Sequence, residues 1–302
     1  MDGILTINKA TGMTSHDVVA KVRKLLKQRR VGHAGTLDPA ASGVLPICIG
    51  QGTRVAEYLS ESGKAYRAEI LFGVVTDTYD AEGLVTRTSD PSGLSLPQIE
   101  DALAHFLGPQ MQLPPRYSAI KLQGQPAYKR VRAGEEVILE PRPIEFFQLR
   151  LLAWNSPRLT IEIECSKGTY IRSLAYDLGE RLACGAHLVA LVRTRSGPFA
   201  LAESITLEQL AEAVEQGNVQ AVLCAPDRVL QHYPGIQLDS ATAERVLHGN
   251  AFRLPEEMLP HMELARIYGP SGHFLAIATW NEEQQSWQPI KVFSQDGTNA
   301  SP

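Results

Sequence analysis

The 302-residue chain carries a net charge of −4 and is 44% hydrophobic, which is typical of a globular protein and excludes a disordered or fibrous one. Its length suggests two domains. Four scattered cysteines without a C-x-x-C pair exclude a disulfide scaffold and a zinc cage, and they favour a reducing, cytoplasmic location. The N-terminus lacks a secretory signal pattern, and no segment approaches about 18 uninterrupted apolar residues, so we expect neither export nor a membrane span.

The first three quarters of the chain mix predicted strands and helices. GILTINK predicts a strand, and Thr14 or Ser15 can cap a helix over about 16–28. A loop rich in glycine and proline follows, VGHAGTLDPAASG, and it leads into a strand around 44–49. Strands are also predicted at 65–74 and 158–165, and helices at about 96–107, 171–184 and 207–216, the last capped by Thr206. Because there is no regular βαβ spacing, we predict an α+β fold.

A proline-rich connection near residue 230 separates this part from a tail with its own pattern. The tail predicts a short helix over about 240–248 and strands within 261–269, 273–281 and 286–293. We therefore predict two domains, 1–230 and 231–302, of which the second is small and β-rich.

Basic residues are concentrated in two segments that contain no acidic residue. Residues 21–30 hold six and residues 112–132 hold five of the 29 lysines and arginines, so the rest of the chain has a net charge of −15. An acidic body with two basic surfaces suits a polyanionic partner. The first segment is equally well interpreted as the solvated face of an amphipathic helix, because apolar residues recur in it at helical spacing. In the second segment Tyr117 and Tyr128 lie among the cations, which suits stacking on nucleobases.

Four side chains stand in contexts that could support chemistry. Asp38 lies on the glycine-rich loop before Pro39, although an aspartate before proline commonly just initiates a turn. Arg172 follows a strand-to-helix turn and could pair with a carboxylate or a phosphate, or lie on the surface. Tyr66 enters a strand and is by default a half-buried core residue. His33, between a glycine and an alanine, could project as a wedge, although exposed loop histidines are commoner.

The usual signatures of nucleotide hydrolysis, nicotinamide chemistry, zinc proteolysis and serine hydrolysis are absent from the sequence. The eight histidines are scattered and do not suggest a metal site. We therefore expect chemistry without a cofactor or metal.

Five motifs in order carry a resemblance to a known family: INKATGMTSHD, GHAGTLDPAASGVLP, KAYRAEILFG, PPRYSAIKLQGQPAYKRVRAG and CSKGTYIRSLAYDLGERLACGAHLVALVRTRSGPF. Over about residues 3–230 the chain resembles the TruB family of tRNA pseudouridine synthases, which isomerise uridine 55 of the TΨC loop. The resemblance implies a catalytic domain on a mixed, mainly antiparallel sheet. The tail, more weakly, resembles the small PUA-like domain of that family.

The resemblance also implies roles for individual residues. Asp38 matches the catalytic aspartate, Tyr66 the tyrosine that stacks on the target base and helps remove the C5 proton, and Arg172 the arginine paired with the aspartate. Tyr170 and Leu191 match residues that line the uracil pocket.

The same resemblance places further residues against the RNA. His33 matches the histidine that fills the space left by the flipped base, and Lys9 lies in an NK-x-x-G motif with either a structural or a direct role. An insertion over about 112–146 matches an RNA clamp and contains three candidate RNA-binding cations, Lys129, Arg130 and Arg132. The implied partner is tRNA, contacted at the T-arm and acceptor side, with no protein partner required.

Two other functions stay open from the sequence. Guide-RNA-dependent pseudouridine synthases share the catalytic motifs, although this chain has the clamp-like insertion and lacks a long basic tail. An RNA-binding protein that helps tRNA to fold could also retain these motifs.

Overall fold

A computed structural model describes residues 1–254 and 263–293. The α-helices in these ranges are α1 (Ser15–Leu26), α2 (Ala56–Glu61), α3 (Leu96–Ala104), α4 (Ala127–Arg132), α5 (Ile171–Arg181), α6 (Leu207–Glu215) and α7 (Ser240–Leu247). The strands are β1 (Gly3–Lys9), β2 (Val31–His33), β3 (Ser42–Ile49), β4 (Lys64–Phe72), β5 (Val74–Thr76), β6 (Val85–Thr88), β7 (Gly108–Gln112), β8 (Lys121–Leu122), β9 (Gln125–Pro126), β10 (Arg142–Asn155), β11 (Arg158–Cys165), β12 (Ala186–Ser196), β13 (Phe199–Ala200), β14 (Gly235–Gln237), β15 (Leu264–Tyr268), β16 (Phe274–Asn281) and β17 (Ser286–Val292).

The main sheet has nine strands, with the order β1-β3-β12-β4-β11-β10-β7 and with β2 and β13 attached to β3 and β12. All of its pairings are antiparallel except that between β12 and β3. The predicted α+β class and mixed, mainly antiparallel sheet are confirmed. The late strand β12 lies between the early strands β3 and β4, so the centre of the sheet joins distant parts of the sequence.

Local sequence explains where helix α1 begins and which face it buries. Thr14 caps the helix, because its hydroxyl accepts a hydrogen bond from the Asp17 N–H while the Asp17 carboxylate accepts one from the Thr14 N–H. Val18, Val19 and Val22 recur at helical spacing and are buried. Ser15 is therefore the first helical residue, and the predicted helix over 16–28 is confirmed with ends shifted by one or two residues.

The two longest strands outside the predictions are β10 and β12. Neither shows the strict alternation of apolar and polar residues that distinguishes a strand, since FFQLRLL in β10 and LVALVR in β12 fit a helix equally well. β10 begins at residue 142, so residues 142–146 of the predicted 112–146 insertion belong to the main sheet. The remaining predicted helices and strands of the first 230 residues are present, with ends that differ by up to three residues.

A second sheet, ordered β14-β15-β16-β17, forms in the predicted tail domain. The helix predicted over 240–248 corresponds to α7, and the three predicted tail strands are β15, β16 and β17, while the short β14 was not predicted. Residues 261 and 262 of one predicted strand, together with 255–260 and 294–302, lie outside the described residues. The β-rich character of the tail is confirmed, whereas the domain boundary at 230 and the likeness to PUA domains stay predictions.

The second sheet packs against the first part of the chain through a shared apolar cluster. Ile277 and Phe293 of the tail contact a group that includes Val55, Leu59 and Phe199. Within residues 1–254 and 263–293, no helix combines the length and hydrophobicity that crossing a bilayer requires.

Candidate active site

A cleft of about 330 Å³ opens beside the centre of the main sheet. Its walls come from the loop over 35–38, the first residues of β4, the turn before α5, and β12. These segments are far apart in sequence, and the sheet order brings them together. Asp38, Tyr66, Tyr170, Arg172 and Leu191, which were predicted to form the site, all line this cleft.

The loop that carries Asp38 is anchored from the side of β1 and α1. Lys9 is completely buried, and its ammonium donates to the carbonyls of Pro39 (3.3 Å), Met13 (2.8 Å) and Ala10 (2.9 Å). The Ser15 hydroxyl accepts from the Leu37 N–H (2.9 Å) and donates to the Leu37 carbonyl (3.1 Å). Both contacts restrain the residues next to Asp38, so of the two roles considered for Lys9 this geometry favours the structural one.

Arg193 of β12 holds the same loop from the opposite side. Its guanidinium donates to the carbonyls of Val44 (2.7 Å), Gly35 (3.0 Å) and Thr36 (3.4 Å), and the side chain is buried. Gly43 allows the backbone of Arg193 to pair closely with β3, because it has φ = +101° and a Cβ there would stand 2.3 Å from the Arg193 carbonyl oxygen. Asp38 thus stands on a loop fixed by a lysine, a serine and an arginine.

Arg172, the second residue of α5, bridges two carboxylates. Its Nη2 lies 2.9 Å from Oδ2 of Asp38 and its Nη1 lies 3.5 Å from Oδ2 of Asp80. The Arg172 side chain is 7% exposed, whereas that of Asp38 is 44% exposed. Arg172 also donates to the Tyr117 carbonyl (3.1 Å) and the Thr78 carbonyl (3.4 Å). The buried arginine is therefore fixed, and it presents a carboxylate that substrate can reach.

Tyr66 lies on β4 within the cleft and is 8% exposed. Burial raises the pKa of its hydroxyl, and the neighbouring Arg193 opposes that rise. The phenol is therefore neutral at physiological pH and lies beside a buried positive charge. A flat ring in this position can stack on a base that enters the cleft.

Tyr170 and Leu191 complete the apolar lining. Tyr170 caps α5, and its backbone N–H and carbonyl both bond the amide of Gln112 in β7, at 2.8 and 3.0 Å. Burial raises the pKa of the Tyr170 hydroxyl. Leu191 of β12 is half-buried and pairs with Ala68 of β4. The cleft thus combines two aromatic rings and a leucine with one accessible carboxylate and three cationic side chains, which suits a flat, partly polar ring.

His33 is the last residue of β2 and does not line the cleft. Its ring lies edge-on to that of His16 in α1, with 5.4 Å between ring centroids and 77° between ring planes. Burial, His16 and Arg193 lower the pKa of His33, in that order, so its imidazole is neutral at pH 7. The neutral ring stands two residues before Gly35, at the start of the loop that carries Asp38.

The two basic segments lie on helices and loops of the surface. All six basic side chains of residues 21–30 are exposed while the apolar face of α1 is buried, which agrees with both interpretations of that segment. In α4, Lys129 and Arg132 are exposed, and Arg130 is paired with Glu135 at 2.6 Å. Arg132 also lies over the ring of Tyr128, 5.8 Å from its centroid. The predicted RNA contacts of these cations stay predictions.

Three residues of the site were not identified from the sequence: Lys64, Asp80 and Arg193. Lys64 could have been found, because it precedes Tyr66 by two positions on a strand and therefore shares its face. Its ammonium lines the cleft and donates to the carbonyls of Ser60 and Ser62 at 2.6 and 2.5 Å. Burial, with a smaller contribution from Arg193, lowers the pKa of Lys64 to about 8. No sequence pattern indicated Asp80 or Arg193, because Asp80 lies in a loop and Arg193 lies in β12, which was not predicted.

In the part of the chain that the structure describes, no group of three or more histidine, cysteine, aspartate or glutamate side chains is arranged to hold a metal ion. The four cysteines are free.

Three family models match the chain in succession. They are the TruB family pseudouridylate synthase N-terminal domain over residues 23–171, the tRNA pseudouridylate synthase B C-terminal domain over 172–231, and the pseudouridine synthase II TruB C-terminal model over 234–285. The tRNA pseudouridine synthase B of Geobacter sulfurreducens is 48% identical over 82% of both chains. That of Dehalococcoides mccartyi (strain 195) is 43% identical over 97% of both.

Solved structures show the same fold at lower sequence identity. A chain in a crystal structure of a Cbf5-Nop10-Gar1 complex is 25% identical, with a TM-score of 0.72 over 97% of this chain and 84% of the other. A chain in an H/ACA RNP bound to a substrate RNA is 23% identical, with a TM-score of 0.73 over 98% and 87%. The sheet is therefore that of the pseudouridine synthases. With identities of 43–48% over most of its length, the chain belongs to the TruB family.

Proposed function

We propose that this protein is a tRNA pseudouridine synthase that isomerises uridine 55 of the TΨC loop. The observation that carries this proposal is the accessible carboxylate of Asp38, held 2.9 Å from a buried Arg172 in a cleft lined by Tyr66, Tyr170 and Leu191. Relatives named tRNA pseudouridine synthase B, aligned over up to 97% of the chain, support the substrate class. The specificity for uridine 55 rests on the resemblance to the TruB family.

The target base must leave the folded loop before it can react, because a stacked uridine is inaccessible. Extrusion costs a few kcal/mol, and stacking on an aromatic ring returns about 1–3 kcal/mol per base. We assign that ring to Tyr66 inside the cleft. The neutral imidazole of His33 fills the space that the base leaves, and it introduces no charge into the stack.

The reaction breaks the bond between N1 and C1′ and forms one between C5 and C1′, after which C5 loses a proton and N1 gains one. Asp38 acts as the nucleophile or base, and Arg172 balances its negative charge. Attack at C1′, attack at C6 and removal of a ribose proton all begin from a carboxylate in this position. Tyr66 is assigned to help remove the C5 proton, and Arg193 beside its hydroxyl opposes the rise in its pKa that burial causes.

The detached uracil has to be retained while it turns. The rings of Tyr66 and Tyr170 and the side chain of Leu191 give the detached base an apolar surface, which retains it in the cleft. The residues present can carry out this chemistry without a cofactor or a metal.

The basic residues of α4, with those of α1, are assigned to the phosphate backbone of the T-arm, and the tail domain to the acceptor side. We expect the protein to act in the cytoplasm on bare tRNA. The identity of 43–48% to tRNA pseudouridine synthase B proteins, against 25% to a chain of the Cbf5-Nop10-Gar1 complex, favours action without guide RNA or partner proteins.

The test is tritium release from unmodified tRNA transcripts that carry 5-tritiated uridine. We expect wild type to release about one tritium per tRNA, Asp38→Asn to release none while still binding tRNA, and a transcript with cytidine at position 55 to yield no release. Equal loss of binding and turnover in Asp38→Asn would contradict the catalytic role of Asp38.

Two outcomes would point to the other functions. Tight tRNA binding without release by wild type, together with faster refolding of denatured tRNA, would favour a tRNA-folding protein. Release that appears only after guide RNA and partner proteins are added would favour the guide-dependent class.

A further inference from the structure

The aromatic contact between His16 and His33 has no part in the function proposed so far. His16 is exposed in the first turn of α1, and its ring meets that of His33 edge to face at 5.4 Å. Edge-to-face is one of the two preferred arrangements of aromatic pairs, and such pairs contribute energy beyond the area they bury. The contact joins α1 to His33, the histidine that we assign to the space left by the flipped base.

Within the described part of the chain, no hydrogen bond at Nδ1 orients the ring of His33. Gly32 has no side chain, and the space where its Cβ would stand contains no atom within 4 Å. Nδ1 of His33 is buried and has no hydrogen-bond partner among the described residues. The orientation of the imidazole is therefore not fixed by a hydrogen bond at that nitrogen, and the edge-on ring of His16 is an aromatic contact that can restrain it.

His16 is itself held rigidly. Ser15, the preceding residue, makes two hydrogen bonds to the backbone of Leu37, and the Thr14–Asp17 capping box fixes the first turn of the helix. The backbone that carries the His16 ring therefore has a fixed position relative to the loop that carries Asp38. The first turn of α1 is therefore a rigid neighbour against which His33 can pack.

We propose that His16 is a positioning residue, which holds the His33 imidazole in the orientation that enters the base stack of the T-loop. The inference rests on the role of His33 in the proposed function. The contact is between aromatic rings and does not depend on the charge of His16. We therefore expect His16→Phe to position His33 as well as the histidine does.

The experiment uses the full-length protein and an unmodified T-arm stem-loop with 2-aminopurine next to the target uridine. We expect His16→Ala to lower both the fluorescence change on flipping and kcat/KM by about 2- to 10-fold, with an unchanged melting temperature. His16→Phe should restore both values. Ala20→Ser, an exposed change one turn further along the same helix, is the matched control for flipping and should leave its amplitude unaltered.

A double variant separates this inference from the proposed function. His33→Ala should itself reduce flipping, and His16→Ala should then add no further loss. If His33→Ala alone has no effect, the role of His33 in the proposed function fails, and the inference fails with it. If His33→Ala reduces flipping but His16→Ala is silent, only the inference is overturned. Failure of His16→Phe to rescue, with a shallower salt dependence of binding in both variants, would show that His16 is a phosphate-binding cation instead.

Discussion

Arg172 binds residues from several segments around the cleft. It joins the carboxylates of Asp38 and Asp80 to the backbone of Thr78 and Tyr117, so three other segments of the chain bind one guanidinium. A buried arginine with two carboxylates has its charge balanced before substrate arrives. The orientation of Asp38 therefore depends on Asp80, although Asp80 itself is only 13% exposed.

This dependence predicts the effect of replacing Asp80. Asp80→Asn leaves Arg172 with one carboxylate and allows it to shift, and we expect turnover in the tritium-release assay to fall about 10- to 100-fold while tRNA affinity is retained. Asp77→Asn is the matched control, because Asp77 accepts from the Leu84 N–H of its own loop and does not contact Arg172. Equal losses in the two variants would mean that the loop as a whole, and not Asp80, is responsible.

Lys64 predicts a pH dependence of stability. Its pKa is lowered from 10.5 to about 8 in the folded protein by burial, so below pH 8 a charged ammonium is buried at a cost in folding free energy. Between about pH 8 and 10.5 the unfolded chain still binds a proton that the folded protein has lost. Stability from this group therefore rises with pH across that window.

The measurement compares urea unfolding of wild type and Lys64→Met from pH 7 to 10.5. The unfolding free energy of wild type relative to the variant should increase by on the order of 3 kcal/mol over this range. A difference that stays constant with pH would show that Lys64 titrates as it does in water.

At the scale of elements, the site combines a loop, a strand and a helix, which carry Asp38, Tyr66 and Arg172 respectively. The predicted strands and helices with strong periodicity or a clear cap are present, as in β11, with its alternating core residues, and α1, with its capping box. β10 and β12 could not be predicted, because their apolar runs FFQLRLL and LVALVR lack the strict alternation that marks a strand.

The same reasoning explains what could be known of the site. Asp38, Tyr66 and Arg172 were identified through motifs, and they meet in one cleft. Asp80 and Arg193 act through tertiary contacts that no local pattern shows. Asp80 forms an ion pair with Arg172, and Arg193 binds two carbonyls of the loop that carries Asp38 and one of β3. The sequence thus identified the site residues that lie in recognisable motifs. It did not identify the residues whose role depends only on their tertiary contacts.

Helix α4 yields a prediction for RNA binding. Lys129 and Arg132 are exposed, whereas Arg130 already pairs with Glu135, so the first two are better placed to release counterions from RNA phosphates. We expect the slope of log K against log salt for tRNA binding to become shallower by about 1 per residue in Lys129→Ala and Arg132→Ala, and by less in Arg130→Ala.

The charge-matched control replaces Arg150 and Arg158, which are paired with Glu162 and Glu69 on the sheet. An unchanged slope in the α4 variants would identify that segment as a solvated surface. The same measurement on Lys24→Ala and Lys27→Ala decides whether the basic residues of 21–30 bind RNA or only form the solvated face of a helix.

At the scale of the whole molecule, a hydrogen-bonded pair joins the tail to the catalytic part. The Tyr268 hydroxyl of β15 donates to Asp227 at 2.7 Å and accepts from Arg266 at 2.8 Å. Burial and Asp227 raise the pKa of Tyr268 to about 12, so the donor is retained over the physiological range. Together with the apolar cluster around Phe293, this contact fixes the position of the second sheet.

Tyr268→Phe should therefore lower the unfolding free energy by about 1–3 kcal/mol, because a hydrogen bond to a charged group is lost and Asp227 keeps its burial. Turnover at saturating tRNA should not change. Urea unfolding and tritium release measure the two quantities, with Tyr128→Phe as the control that removes a hydroxyl far from this contact. A fall in turnover without loss of stability would instead place Tyr268 in substrate handling.

The position of β12 between β3 and β4 has a consequence for how the protein is made. During synthesis β4 is complete by residue 72, yet its neighbour on one side begins only at residue 186. Until that strand leaves the ribosome, the nascent chain holds an open sheet edge of the kind that pairs with other chains. Leu191 and Arg193 arrive on the same strand, so one late event closes the sheet, completes the cleft and ends the period in which the growing chain is open to aggregation.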